Sequence, residues 1–223
     1  MAKDFHNKMQ HRKQFVLLVL LMLFAVPQAD ACPKEKPFKR LSRPEKVWTV
    51  FHPFKAKEVY ECAKRSRAVT DSLEKAGALT DNNGGQLDAF RHAYWMELLV
   101  NNGMKEKTVR KVGERHEKGN YIDFRKGKLE DGTRADSMMC VMDLRNNASG
   151  IAIAKKYRDG DKKISLIETI LNEIWSGNLA IMRKNESGGY LDANGKLIDL
   201  TLYGGKWYIP KVIVKSDMID VAH

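Results

Sequence analysis

Apolar residues recur at helical spacing through most of the chain, and the pattern changes only near the end. The segment RPEKVWTVFHPFKAKEVYECAKRSRAVTDSLEKAG reads as a short helix, a turn at His52-Pro53 and a longer helix ending near Gly77, where glycine suits a helix C-terminus. The loop TDNNGG follows, and NGGQLDAFRHAYWMELL opens a second long helix that ends near Asn101–Gly103. A third helix is predicted from about Lys105 to Glu117, then a long polar loop, KGNYIDFRKGKLEDGTR. A fourth runs from about Ala135 to Tyr157. A fifth, ISLIETILNEIWSGNLAIMR, is amphipathic. The tail GGYLDANGKLIDLTLYGGKWYIPKVIVK alternates and carries Asn-Gly and Gly-Gly turn signals. The expected fold is therefore mainly α, a helical bundle over residues 32–184, with a small β-hairpin appendage over 185–223 that reads as separable from it.

Three of these helices break their own pattern. At 100° per residue, Asp88, His92, Trp95 and Leu99 form one stripe, with Arg91 and Met96 beside it. Phe90, Ala93 and Tyr94 cover much of the other side, so the helix is apolar nearly all round and predicted to be buried. In the third helix Val109, Val112, Gly113 and His116 share a stripe, and Glu117 follows His116. In the fourth, Asp143, Asn147, Gly150 and Ala154 align, with Asn146 at the edge. A buried polar group without a partner costs roughly 2–7 kcal/mol, so these side chains need one another or a ligand.

Two histidines with two carboxylates, His92, His116, Asp88 and Asp143, are a donor set for a divalent metal such as zinc, iron or manganese inside a bundle. The same four serve equally as metal-free catalytic groups, since a histidine oriented by a carboxylate is a general base. Arg91, Asn146, Asn147 and Trp95 would then contact substrate, with Arg91 or an asparagine amide stabilising developing negative charge. Against this stands a scaffold in which Asp–Arg and His–Asp pairs only fix helix register. Met138, Met139 and Met142 read as core, and His52, before Pro53, as a turn or capping residue.

The N-terminus has a different character. Lys3, Lys8, Arg12 and Lys13 precede the apolar run QFVLLVLLMLFAV, and Ala29 and Ala31 make a small-x-small pattern. Residues 1–31 read as a signal peptide cleaved before Cys32. The run is too short for a comfortable membrane span, and the mature chain is expected to hold none. A lipoprotein anchored on Cys32 ranks second, because leucine is usual where Ala29 stands. The net charge of +11 at pH 7 suits an exported, periplasmic or secreted protein that meets an anionic envelope component or a partner protein. Nucleic acid is not expected, since no compact basic run with interleaved aromatics appears. Of Cys32, Cys62 and Cys140, the first two form the easier disulfide in an oxidising compartment, because Cys140 lies in a predicted buried helix.

The motifs GGQLDAFRHAYW, His116-Glu117 and MDLRNNASG, with HPFKA upstream at His52–Ala56, resemble an uncharacterised bacterial domain family over residues 44–157. Arg115 departs from the small residue common before the His-Glu pair, and the loop after Glu117 is long. The resemblance implies a shared site and no particular reaction. Three functions stay open: an exported hydrolase of a cell-envelope component, a non-catalytic envelope or partner-binding protein, and a secreted toxin or effector. Export is expected to leave a mature chain beginning at Cys32. N-terminal sequencing of the exported protein checks this, and a start at Met1 would refute it.

Overall fold

The computed structural model describes residues 38, 41–79, 81, 83–129, 133–159 and 164–218. The expected signal segment, its cleavage site and Cys32 lie outside them. Among the described residues the chain folds as six helices and a two-stranded antiparallel sheet: α1 (Arg43–Phe51), α2 (Pro53–Lys75), α3 (Gln86–Asn101), α4 (Glu106–Arg125), α5 (Ser137–Asp159), α6 (Leu166–Trp175), β1 (Ala180–Met182) and β2 (Ile213–Lys215). None of these helices is long and apolar enough to cross a membrane.

Local chemistry sets the boundaries. At the start of α1 the Glu45 carboxylate turns back to accept from Ser42 N–H at 2.7 Å, satisfying a donor the helix leaves open. His52 ends that helix and stacks on Trp48 with ring centroids 4.6 Å apart, and Pro53 begins α2. Asp136 starts α5: its Oδ1 accepts from Met138 N–H at 2.9 Å and Met139 N–H at 3.1 Å. Ser165 Oγ accepts from Glu168 N–H to start α6. Gly177, at φ 74°, ends it.

Two predicted boundaries move. The polar stretch after Glu117 continues α4 to Arg125, because Gly119 sits where a Cβ would meet the Ser42 side chain and the inner face still buries Asn120 and Phe124. Phe124 packs against Trp207 from the tail, with ring centroids 4.9 Å apart. The predicted fifth helix stops at Trp175. The residues after Gly177 extend instead as β1, which pairs with β2 in the register Ala180↔Lys215, Ile181↔Val214 and Met182↔Ile213. Smaller bridges at Lys184↔Tyr190 and Leu191↔Leu197 account for the hairpin signals.

The β segment is fastened to the bundle at several points. Met182 N–H donates to Gly84 O, Gln86 Nε2 to Ser216 O and Ser216 Oγ to Ile174 O. Lys211 Nζ reaches Asp136 Oδ2 at 2.7 Å, and both side chains are buried. The boundary that the pattern draws near residue 184 thus falls between two strands of one sheet.

The bundle is built around α3. From Leu87 to Val100 its only side chain that is not buried is Arg91. Its most extensive contact is with α5. There Gly150 lies against the backbone of α3, and a Cβ in its place would run into the carbonyl oxygen of Ala93. Glu97 is the second notable feature. Its carboxyl is wholly buried, neither oxygen has a hydrogen-bond partner among the described residues, and burial pushes its pKa up to about 9.

Two expected outcomes follow. Gly150→Ala should lose at least about 1–3 kcal/mol, since neither helix backbone can yield without moving its side chains. Gly113→Ala should cost less, because its Cβ meets only the Asn147 side chain and alanine favours the helix. Urea unfolding of both variants checks this, and a neutral Gly150→Ala would show the contact to be loose. Glu97 keeps its proton when folded and loses it when unfolded, so its contribution is fully present below about pH 4.5 and lost as pH rises towards 9. Between pH 7 and 8 the protein should lose up to about 1.4 kcal/mol per pH unit that Glu97→Gln retains. Parallel slopes for the two proteins would contradict it.

Candidate metal centre and cleft

Asp88, on the first turn of α3, sits where the helix dipole favours a negative charge. Its Oδ2 accepts from Gly84 N–H at 2.9 Å and its Oδ1 from Arg91 Nη2 at 2.7 Å. One turn on, His92 directs Nε2 towards two carboxylates, Asp88 Oδ1 at 3.6 Å and Asp143 Oδ1 on α5 at 3.5 Å. Donor atoms of the three residues all lie within 4.8 Å of one another, and all three residues are buried. The separations from His92 exceed a hydrogen bond, for which N···O is roughly 2.7–3.2 Å. They match the edges of a tetrahedron of donors about 2.1 Å from a shared zinc-like ion, which are roughly 3.4 Å.

Burial holds the His92 imidazole well below its ordinary pKa, and the positive charges of Arg91 and His116 push the same way. The ring is therefore neutral near pH 7, the form that ligates metals. The Asn147 amide, on the α5 face beside the ring, acts in the opposite direction and favours its charged form. His92 Nδ1 and that amide are both buried, and neither has a hydrogen bond of good geometry among the described residues.

The fourth expected member stands apart. The His116 ring lies 6.1 Å from that of His92 and edge-on to Trp95 at 5.5 Å. Its Nδ1 is 3.0 Å from Glu45 Oε1 on α1. Burial alone would raise the Glu45 pKa, but the bonds to His116 and Ser42, with the His116 charge, hold it below the ordinary value. Trp95 Nε1 donates to Val59 O at 3.4 Å, so its ring is wall rather than contact surface. Asn146 is committed to the scaffold: its Nδ2 donates to Ala180 O and its Oδ1 accepts from Ala180 N–H, both at 2.9 Å. Arg91 pairs with Asp88. Glu117 is buried and accepts from Asn120 Nδ2.

Asp88, Arg91 and Asp143 line a cleft of about 600 Å³, together with Arg67 of α2, Phe124 of α4 and Arg134. The tail also contributes Tyr190, Tyr203, Lys206 and Lys211. Periodicity carried no signal for Arg134 and the tail residues, because they lie outside α1–α6. Glu45 could have been found, since Ser42-x-x-Glu45 is a capping-box pattern that places a carboxylate at a known helix position.

No curated protein and no solved structure matches this chain. A family model described as "Domain of unknown function (DUF6973)" matches residues 46–178, a span that holds Asp88, His92, His116 and Asp143 and stops just before β1. The chain therefore belongs to that family.

Proposed function

We propose that the protein is an exported, metal-dependent hydrolase of a cell-envelope component, with a divalent ion held by Asp88, His92 and Asp143. The observation that carries this reading is the spacing of His92 from Asp88 and Asp143, too wide for hydrogen bonds and suited to a shared ion, with both carboxylates lining an open cleft. Three protein donors leave coordination positions for water and substrate, the arrangement of catalytic rather than structural zinc sites. Such an ion lowers the pKa of bound water towards neutrality and polarises an ester or amide carbonyl or a phosphoryl oxygen. Arg91 fixes one carboxylate oxygen of Asp88 and so orients the ligand from outside the ion. The basic lead, apolar run and Ala29-x-Ala31 pattern support export.

A scaffold reading draws on one observation, that Asp88 is already bonded by Gly84 and Arg91. The two readings differ in metal content. Elemental analysis of the purified protein should find close to one equivalent of zinc, iron or manganese. Asp143→Asn and His92→Ala should reduce that content at least about tenfold, whereas His116→Ala should keep it, its Nδ1 being turned to Glu45. Zinc added to chelator-treated wild type should also raise the melting temperature, because an ion that binds only the folded state stabilises it. This second readout stands even if a variant fails to fold. Wild type that neither contains nor is stabilised by any of the three metals would leave the scaffold reading in place.

A further inference from the structure

The cleft lined by Asp88 and Asp143 has a charge balance that bears on the substrate. Five cationic side chains line it, Arg67, Arg91, Arg134, Lys206 and Lys211, against three acids, Asp71, Asp88 and Asp143. Arg91 and Lys211 have buried carboxylate partners, Asp88 and Asp136. Arg134 and Lys206 both line the cleft and are exposed, and neither makes an ion pair among the described residues. The Phe124 ring beneath Arg134 packs against Trp207, the neighbour of Lys206 in the chain. Both cations are nonetheless placed. The Arg134 guanidinium carbon lies 4.5 Å from the Phe124 ring centroid, and Nη2 donates to Phe124 O at 3.2 Å. That leaves most of the guanidinium fork open to a ligand. Lys206 Nζ stands 5.1 Å from the Tyr203 ring centroid. Each aromatic face steadies an exposed cation that lines the cleft.

A group that satisfies both cations at once must carry charge and several acceptor oxygens. A carboxylate offers two oxygens and one charge. A phosphoryl group offers more of both, and guanidinium binds it through paired N–H donors. We infer that the substrate is a phosphate ester, its phosphoryl oxygens facing Arg134 and Lys206 and its ester bond over Asp88 and Asp143. This rests on the hydrolase reading above and names its substrate class. Hydrolysis adds water across the ester: the water oxygen bonds to phosphorus, the P–O bond to the alcohol breaks, and the leaving alkoxide takes up a proton released from the water. A phosphodiester then yields an alcohol and a phosphate monoester, and nothing is oxidised or reduced. Phe124, Tyr190 and Tyr203 offer apolar contact to the organic part.

Isothermal titration of the chelator-treated protein tests the anion site apart from the metal. The probes are inorganic phosphate, a short-chain phosphatidylglycerol below its micelle concentration, and acetate. Phosphate should bind at least about tenfold more tightly than acetate. The Arg134→Gln/Lys206→Gln double variant, altered only at exposed positions, should melt like wild type and bind phosphate at least about tenfold more weakly. Tighter binding of the lipid than of phosphate identifies a phospholipid headgroup as the source of the chemistry. Equal or weaker binding identifies a soluble phosphoester. Phosphate bound no better than acetate, or equally by wild type and double variant, overturns the inference whatever the metal content. Phosphate binding by a protein that takes up no divalent ion would keep the anion site and remove the hydrolase.

Discussion

The backbone contact between α3 and α5 governs the rest of the molecule. Gly150 lets the two helices meet with no side chain between them, against the carbonyl of Ala93. Ala93 adjoins His92, and Gly150 shares a helix face with Asp143 and Asn147. The approach therefore decides how far Asp143 Oδ1 stands from His92 Nε2, and the result is 3.5 Å. A side chain at position 150 would force the helices apart, and the polar groups would then face an apolar gap rather than one another. The glycine is a constraint on the site as much as on the packing.

That site concentrates electrostatic cost in a small volume. Two buried carboxylates flank one neutral histidine, and Asp88 is compensated by Arg91 and by Gly84 N–H. Carboxylates brought this close repel unless a proton or a cation lies between them. A divalent ion relieves the repulsion without requiring His92 to charge, which its burial opposes. Glu97 shows the other solution within the same helix: it has no hydrogen-bond partner among the described residues and keeps its proton. One helix thus carries an acid bonded to Arg91 and Gly84 at its N-terminus and a neutral one in its core.

The β segment completes the cleft rather than standing beside the bundle. Lys211 is buried against Asp136, which also starts α5, so one carboxylate fixes both the helix that carries Asp143 and the tail segment before β2 that lines the cleft. Asn146 does the same from the helix, clamping the backbone of Ala180 through both ends of its amide. Lys184 adds a third tie, holding the Asp81 carboxylate in the loop before α3. Bundle and tail are tied by shared partners, and Lys206 and Tyr203 line the same cleft as Asp88 and Asp143.

Helix order, the burial of α3 and the polar stripe of Asp88 and His92 were legible in the sequence, because a period of 3.6 and the cost of unpaired buried groups act within one element. The same reasoning singled out Asp143, Asn147 and Gly150 on α5. It drew His116 into the same centre, since a stripe shows which face is buried and not which neighbour that face meets. Only the tertiary structure turned His116 Nδ1 to Glu45, 71 residues away in sequence. It also spent Asn146 on Ala180, a backbone partner that side-chain patterns cannot reveal. The extension of α4 to Arg125 depended on Trp207, which buries Phe124 from the far end of the chain. Local periodicity therefore determined which side chains must find partners. Long-range packing decided which partners they found, because that choice depends on helix separations and strand pairings that no single segment encodes.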